Sequence, residues 1–386
     1  MAGFASPFLK KFLFFIKNPR QTHLRTACVC VLLLLMAEIL LYGRILIHPR
    51  QVWWSFSDHY EKSQPQTPGE YWDWFQESWQ ALEGSLTPAP DFFTNSYGFV
   101  QNELGVRLVY GPRNLHVVKL ENGYVSLFYQ PQNLGQPERL ANFCQELQCH
   151  GVKVLYVQPP FKICKYAPLL PYGLEDPINP LIDQVLAELR KRQIQVIDAR
   201  EFFRENPQKH YDFFYRSDHH WKAEYVFRTF QAIARELAKD EHFSIGSEYL
   251  DPKNYAKEAE TVPGNELLRV GRWYAQAEDE IEWQFANPAF PAPPETQPTE
   301  GELFGFGIIR TFQNPNARGR VMVFGDSFSF PLFRKLAGIC GEGWNVDLRH
   351  PHEPILPKVL ELKPDYVIIG YWANTIDEHL NESFFK

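Results

Sequence analysis

From about residue 106 the chain alternates short apolar runs with longer stretches whose apolar residues recur at helical spacing. Val152 to Val157 (VKVLYV), Ile194 to Ile197, Val321 to Phe324 (VMVF) and Tyr366 to Ile369 (YVII) have strand length and are rich in branched and aromatic side chains. Pro180 to Arg192 reads as a helix between the first two. Ala223, Val226, Phe227, Phe230, Ile233, Ala234 and Leu237 follow the i, i+3, i+4, i+7 pattern of a helix with one buried face. Ser329 to Leu336 predicts a further helix, with Pro331 in the first turn, where a missing N–H is tolerated. Strands alternating with helices predict an α/β fold, with a central parallel sheet flanked by helices on both faces.

Two regions depart from this rhythm. Residues 240–318 carry Gly, Pro, Gln and Asn clusters, including the run from Pro288 to Pro294. They predict an insertion of loops and short strands near the rim of an active site, in which Trp273, Tyr274 and Trp283 imply some packing. At the other end, residues 26–47 (TACVCVLLLLMAEILLYGRILI) form an apolar segment long enough to span a bilayer. Lys10, Lys11, Lys17, Arg20 and Arg25 precede it, while only Arg44, near its end, and Arg50 occur before a mixed-charge stretch. That asymmetry predicts a basic cytoplasmic tail (1–25), an uncleaved transmembrane signal anchor (26–47) and an extracytoplasmic remainder. A cleaved signal peptide is the competing reading, disfavoured by the long basic region and the lack of a clean small-x-small site. Glu38 within the segment marks a contact with another membrane protein, or else is protonated or sits near the outer interface. Residues 48–105 form a Trp- and Pro-rich stem, with a helical stretch at Glu70 to Gly84, and 106–386 form the main domain.

A net charge of -7 and an isoelectric point near 6.0 argue against a nucleic-acid partner. The 15% aromatic content suits either a well-filled core or a surface that meets sugars or lipids. Six cysteines include no CxxC pair, so zinc and redox chemistry have little support, and no cofactor or metal is expected. Cys144 with Cys149, or Cys149 with Cys164, could pair. Free buried thiols are the alternative.

Candidate chemistry lies in two segments. Gly325-Asp326-Ser327-Phe328 follows a strand and opens a helix, which puts Ser327 at the carboxyl end of a parallel strand. There the helix amino terminus stabilises negative charge, and the Ser327 N–H can face an oxyanion. Helix capping by Asp326 and Ser327 is the bland alternative. Ser329 is a rival nucleophile lying further into the helix. Asp218-His219-His220-Trp221 is held at the start of the strongest predicted helix. Two residues apart, Asp218 can accept the Nδ1–H of His220 and leave Nε2 free as a base for Ser327. His219 is expected to face away from the reaction and Trp221 to pack behind the pair. A metal bound by Asp218, His219 and His220 is a rival use of the same residues.

The DHHW tetrad followed by strand-GDSF-helix resembles the bacterial DHHW protein family, which is similar to the SGNH-hydrolase-like domains of periplasmic alginate O-acetyltransferases. Further segments share the resemblance: Val157 to Lys162 with Leu169-Leu170-Pro171, Gln195 to Asp198 leading to Tyr215-Arg216-Ser217-Asp218, Lys363 to Ile369, and Asn122 to Phe128. It covers most of residues 90–380. The chain order, 218, 220, then 327, follows the acetyltransferase arrangement; ordinary SGNH esterases carry the serine first. Phe161 stands between the proline pair and Lys162, a departure from the family pattern, and Gly370-Tyr371-Trp372-Ala373-Asn374 replaces a segment often acidic and basic in relatives. Lys162, Tyr371 and Asn374 are candidate oxyanion or substrate-binding residues.

The resemblance implies O-acyl transfer, and O-acetyl transfer first, to a cell-surface or secreted polysaccharide. It also implies a membrane-bound O-acyltransferase partner that passes acyl groups across the membrane. A carbohydrate esterase using the same three residues, and a non-catalytic envelope polysaccharide assembly protein, are the alternatives.

Overall fold

The structure, a computed structural model, describes residues 98–99, 101–109, 115–129, 137–262, 279–286, 299–303, 306–347 and 355–370. The expected anchor at 26–47, the stem helix at Glu70 to Gly84, Tyr371 and Asn374 lie outside them. No helix among the described residues is long and apolar enough to cross a membrane. The chain divides into two units, one of residues 1–106 with 269–276 and one of residues 107–268 with 277–386. In the first, residues 101–103 are helical and Gly105 follows at φ 70°. All that follows concerns the second.

Strands β1 (Leu108–Val109), β2 (Leu115–Lys119) and β3 (Val125–Tyr129) make a small antiparallel sheet. Helix α1 (Pro137–Cys149) leads to β4 (Lys153–Gln158), and α2 (Asn179–Lys191) to β5 (Gln195–Asp198). Helix α3 (Ala223–Leu237) precedes a two-stranded hairpin, β6 (Ala256–Val262) and β7 (Glu280–Ala286). Then come β8 (Thr299–Leu303), β9 (Phe306–Gln313), β10 (Arg320–Gly325), α4 (Ser329–Leu336), β11 (Glu342–Asp347), α5 (Ile355–Leu362) and β12 (Tyr366–Gly370).

The main sheet has the order β5-β4-β12-β10-β11-β9-β8. Its first five strands are parallel, as expected, and the apolar runs predicted as strands are β4, β5, β10 and β12. β9 and β8 are antiparallel, so the sheet is mixed. Both come from the 240–318 region, expected to be an insertion of loops and short strands near the rim of an active site, and part of this insertion completes the central sheet. Its signal was masked because β9 begins Phe306-Gly307 and β8 is Thr-Glu-Gly-Glu-Leu, neither an apolar run.

Alternation along the strands decides which helices cover which face. Phe324 of β10 meets Phe143 of α1, ring centroids 6.3 Å apart. On the opposite face Phe312 of β9 meets Phe333 of α4 at 5.0 Å. α1 packs with α2, and α4 with α3, so the sheet is sandwiched. Gly343 of β11 is required at this second contact, because a Cβ there would lie 2.4 Å from the Phe312 ring and 3.1 Å from that of Phe333. The apolar face of α3 is buried as its periodicity predicts, including Val226, Phe227, Phe230, Ile233, Ala234 and Leu237. Each large side chain so buried contributes about 1.5–3 kcal/mol, which holds the start of α3, and the segment before it, against the body of the domain.

Much of the aromatic content serves the core: Phe203, His210, Phe213 and Tyr225 form one network of ring contacts. Cys144, Cys164 and Cys340 are free and buried, and Cys149 is free and exposed.

Candidate active site

β10 ends at Gly325, paired with Gly370 of β12 on one side and Asp347 of β11 on the other. A Cβ on Gly325 would lie 2.3 Å from the Ser329 side chain and 2.5 Å from the Gly370 carbonyl, so only glycine lets the chain turn here. Asp326 is buried and builds the turn itself. Its Oδ1 accepts the Phe328 N–H at 2.9 Å, and its carbonyl accepts the Ser329 N–H at 3.0 Å and hydroxyl at 2.8 Å. Asn345 of β11 donates to the Ser329 oxygen at 3.3 Å. Ser329, the rival nucleophile, is thus buried and committed to the turn. Ser327, between the turn residues, is exposed at the amino-terminal end of α4.

The histidine segment is a tight loop. Phe214 and Trp221 form an antiparallel bridge, and the Lys222 N–H donates to the Phe213 carbonyl at 2.8 Å. Within the loop Asp218 Oδ1 accepts the His220 backbone N–H at 2.9 Å and lies 2.8 Å from its Nδ1. His220 Nε2 lies 2.9 Å from Ser327 Oγ. A carboxylate can only accept, so Nδ1 carries the proton and Nε2 faces the serine hydroxyl as acceptor. Burial by itself would raise the Asp218 pKa. The hydrogen bonds and charge of His220 outweigh it and hold the carboxyl below its ordinary value. The structure therefore brings together the three residues expected to form one site, 107 positions apart between His220 and Ser327.

His219 packs against His220, centroids 4.0 Å apart, and Phe328 lies 5.0 Å from His220. Trp221 is buried 5.7 Å from Phe328, so it backs the site as expected. Burial first, and then the neighbouring His220, pushes His219 down to about 3, which keeps it neutral. Asp218, His219 and His220 each offer a ligand atom within 4.8 Å of the others. For a cation this set fits poorly, since both ring nitrogens of His220 are already engaged by Asp218 and Ser327.

Lys162 requires a correction. In place of an oxyanion or substrate contact, it is 2% exposed, and its ammonium donates to the carbonyls of Val125 at 2.6 Å, Arg216 at 3.4 Å and Asp218. It ties β3 and the histidine loop together from behind. The inserted Phe161, also buried, accompanies this inward course. Burial lowers Lys162 to about 7. Lys162→Met leaves three carbonyls without this donor and is expected to destabilise the domain by roughly 3 kcal/mol or more. Unfolded Lys162 holds its proton up to about pH 10.5 and the folded residue only to about 7. The wild type thus gains stability relative to the variant as pH rises through that window. Urea unfolding of both proteins at pH 7 and pH 9 checks this, and a gap that narrows at pH 9 contradicts it.

Two functional candidates were not anticipated. Glu280 and Glu282 of β7 reach the histidine loop from its outer side. Glu280 accepts the Arg216 N–H at 2.5 Å and pairs with Lys222 at 2.7 Å; Glu282 accepts the Ala223 N–H at 2.6 Å. The period-2 pattern of Glu280-Ile281-Glu282-Trp283-Gln284-Phe285 was the available signal for a strand, but nothing in it names the strand's partner.

The model of the SGNH hydrolase-like domain of acetyltransferase AlgX matches residues 129–334, more than half of the chain. The chain belongs to this family. The matched span contains Asp218, His220 and Ser327 and ends within α4. The resemblance to DHHW proteins and alginate acetyltransferase domains is thereby upheld. Among solved structures, PatB1 of Bacillus cereus is similar at 15% identity with a TM-score of 0.53, over 70% of this chain and 98% of that one. PatB1 with a sulfonyl adduct is similar at 16% identity and 0.55, over 71% and 100%. A DHHW family protein from Eubacterium siraeum has 13% identity and a TM-score of 0.47, over 70% and 95%. At these identities the PatB1 likeness supports the SGNH-like α/β fold. No curated protein matches the chain in sequence.

Proposed function

We propose that this protein is a membrane-anchored, extracytoplasmic O-acyltransferase that moves acetyl groups onto a cell-surface or secreted polysaccharide. The observation that carries the chemistry is the unbroken relay from Asp218 Oδ1 through His220 to an exposed Ser327 Oγ. Family membership supports acetyl as the group. The AlgJ structure from Pseudomonas putida is described as an O-acetyltransferase domain, which agrees with this choice. The apolar segment at 26–47 with its preceding basic residues supports the anchor. By resemblance, a membrane-bound O-acyltransferase supplies the acyl groups.

In the first half-reaction Ser327 Oγ attacks the acyl carbonyl while His220 Nε2 takes the hydroxyl proton. Asp218, kept ionised, stabilises the imidazolium. The tetrahedral oxyanion forms beside the Ser327 N–H at the α4 amino terminus, where the helix dipole favours negative charge. Tyr371 or Asn374, just beyond Gly370, would supply the second donor. Collapse expels the donor's leaving group, which takes the proton from His220, and leaves acyl-Ser327. In the second half-reaction a sugar hydroxyl gives its proton to His220 and attacks. The second collapse returns the proton to Ser327.

Exposure of Ser327 also admits water, which makes hydrolysis the second reading. Purified protein exposed to an activated acetyl ester is expected to gain one acetyl mass on the Ser327 peptide, and His220→Ala to gain none. An oligosaccharide acceptor should then divert acetyl from free acetate to sugar ester. Acetate release indifferent to every acceptor would establish the esterase instead.

A further inference from the structure

We propose that the β6–β7 hairpin is a clamp for this site, with Glu280 and Glu282 as positioning residues that hold the histidine loop in register with Ser327. This rests on the reading of Asp218, His220 and Ser327 as the acyl-transfer site.

Strand alternation turns Glu280, Glu282 and Gln284 to one face of β7 and Ile281 and Trp283 to the other. Ile281 and Trp283 are exposed, while Glu282 is buried. The inward carboxylates grip the two feet of the loop that carries Asp218 and His220: Glu280 at Arg216 and Lys222, Glu282 at Ala223. Ala223 is the first residue of α3, whose opening N–H groups have no partner within the helix. A helix of this kind is ordinarily capped by the side chain just before it. Here that residue is Lys222, which makes no side-chain cap. The cap comes instead from Glu282, 59 residues after Ala223, and a carboxylate is the group the helix dipole favours there.

From the other side, Lys162 holds the carbonyls of Arg216 and Asp218. At its two feet the Arg216 and Ala223 N–H groups are thus held by carboxylates of β7, and the Arg216 and Asp218 carbonyls by the Lys162 amine. None of these four bonds involves a triad side chain.

The same strand is fixed to both halves of the site. Phe285 stacks on Phe227 of α3, centroids 4.4 Å apart and planes at 4°. The Phe285 carbonyl accepts from Lys335 of α4 at 2.6 Å. α4 carries Ser327 at its start, and α3 carries the histidine loop at its start. β7 therefore spans the pair and sets the spacing between His220 Nε2 and Ser327 Oγ. A displacement of about 1 Å in such an alignment costs up to a hundredfold in rate.

The test uses the full chain in detergent, an activated acetyl ester as probe, and the variants Glu282→Ala, Glu282→Gln and Glu282→Asp. Two quantities are read: the rate of acetyl-Ser327 formation, and the downfield proton resonance of His220 Nδ1–H in its bond to Asp218. For Glu282→Ala the saturated rate is expected to fall by on the order of tenfold or more, with the half-saturating ester concentration little changed and the resonance broadened. Glu282→Gln, whose amide oxygen still accepts the Ala223 N–H, should restore both. Glu282→Asp, with a shorter reach, should fall between. A purely structural role would lower the melting temperature of Glu282→Ala while rate and resonance matched the wild type, and that result overturns the proposal. So does a Gln variant as impaired as Ala. Should Glu282→Ala fail to fold, the Asp variant decides: rate and resonance identical to wild type refute the clamp. If the wild type itself forms no acetyl-Ser327, the proposed function fails, while the resonance still reports on the clamp.

Discussion

Ser327→Ala is expected to abolish the proposed acyl transfer, lowering the rate of acetyl-enzyme formation by at least about a thousandfold. The expectation follows from placement as much as residue type. Ser327 is the exposed hydroxyl of the β10–α4 turn, and His220 Nε2 stands 2.9 Å from it. Ser329, two residues on, cannot substitute, because its hydroxyl is buried and bonded to the Asp326 carbonyl. The lost oxygen lies at the surface and makes no core contact, so thermal stability should be nearly unchanged. Acetylation of polymer by cells carrying the variant is the decisive measurement. If the polymer is acetylated as in wild type, the domain serves as a non-catalytic assembly protein.

The second large effect is expected from Asp218→Asn, a loss of roughly a thousandfold to ten-thousandfold in acetyl-Ser327 formation, the magnitude seen where this charge orients a catalytic histidine. An asparagine retains the shape but removes the charge that stabilises the imidazolium. It can also donate to Nδ1, which would place the proton on Nε2 and leave Ser327 with no base. Because His220 holds the Asp218 carboxyl below its ordinary value near 3.8, the wild-type group is charged at every pH above that. The deficit of the variant should accordingly persist from about pH 5 to pH 9. The sign for stability is also set. A depressed carboxyl contributes stability above its unfolded pKa, and this is lost as pH falls through the folded value. Wild type and variant should therefore converge in melting temperature only at strongly acid pH. Single-turnover rates across the range check the first claim and thermal melts the second. A variant within tenfold of wild type would show that the histidine is oriented by other groups.

Both predictions draw on residues whose chemistry was legible along the chain. The DHHW and GDSF segments carry residue types whose roles depend on local geometry. Asp218 and His220 are two apart at a helix start, and Ser327 follows a strand. Short-range stereochemistry is enough to suggest what such segments do. β4, β5, β10 and β12 were equally readable, because strands buried on both faces in a parallel sheet are continuous apolar runs. α3 was readable from its periodicity.

Other features were decided by contacts between distant segments. β8 and β9 are neither apolar runs nor clear alternations, and only pairing of β9 with β11 makes them part of the main sheet. β11 contains Gly343, which reads as a breaker but is there so that Phe312 and Phe333 can meet. Lys162 carries the same charge in sequence whether it faces a substrate or three backbone carbonyls. Glu280 and Glu282 read as solvent-facing acids until the fold sets them against the histidine loop. By itself, then, the sequence determined four of the five parallel strands, the helix behind the histidines and the three residues of the relay, because apolar periodicity and local turn chemistry are written in neighbouring positions. The tertiary structure alone decided the sheet's antiparallel edge, the inward course of Lys162 and the clamp on the loop. Backbone N–H and carbonyl groups accept any matching partner, and only the folded chain brings one particular partner within reach.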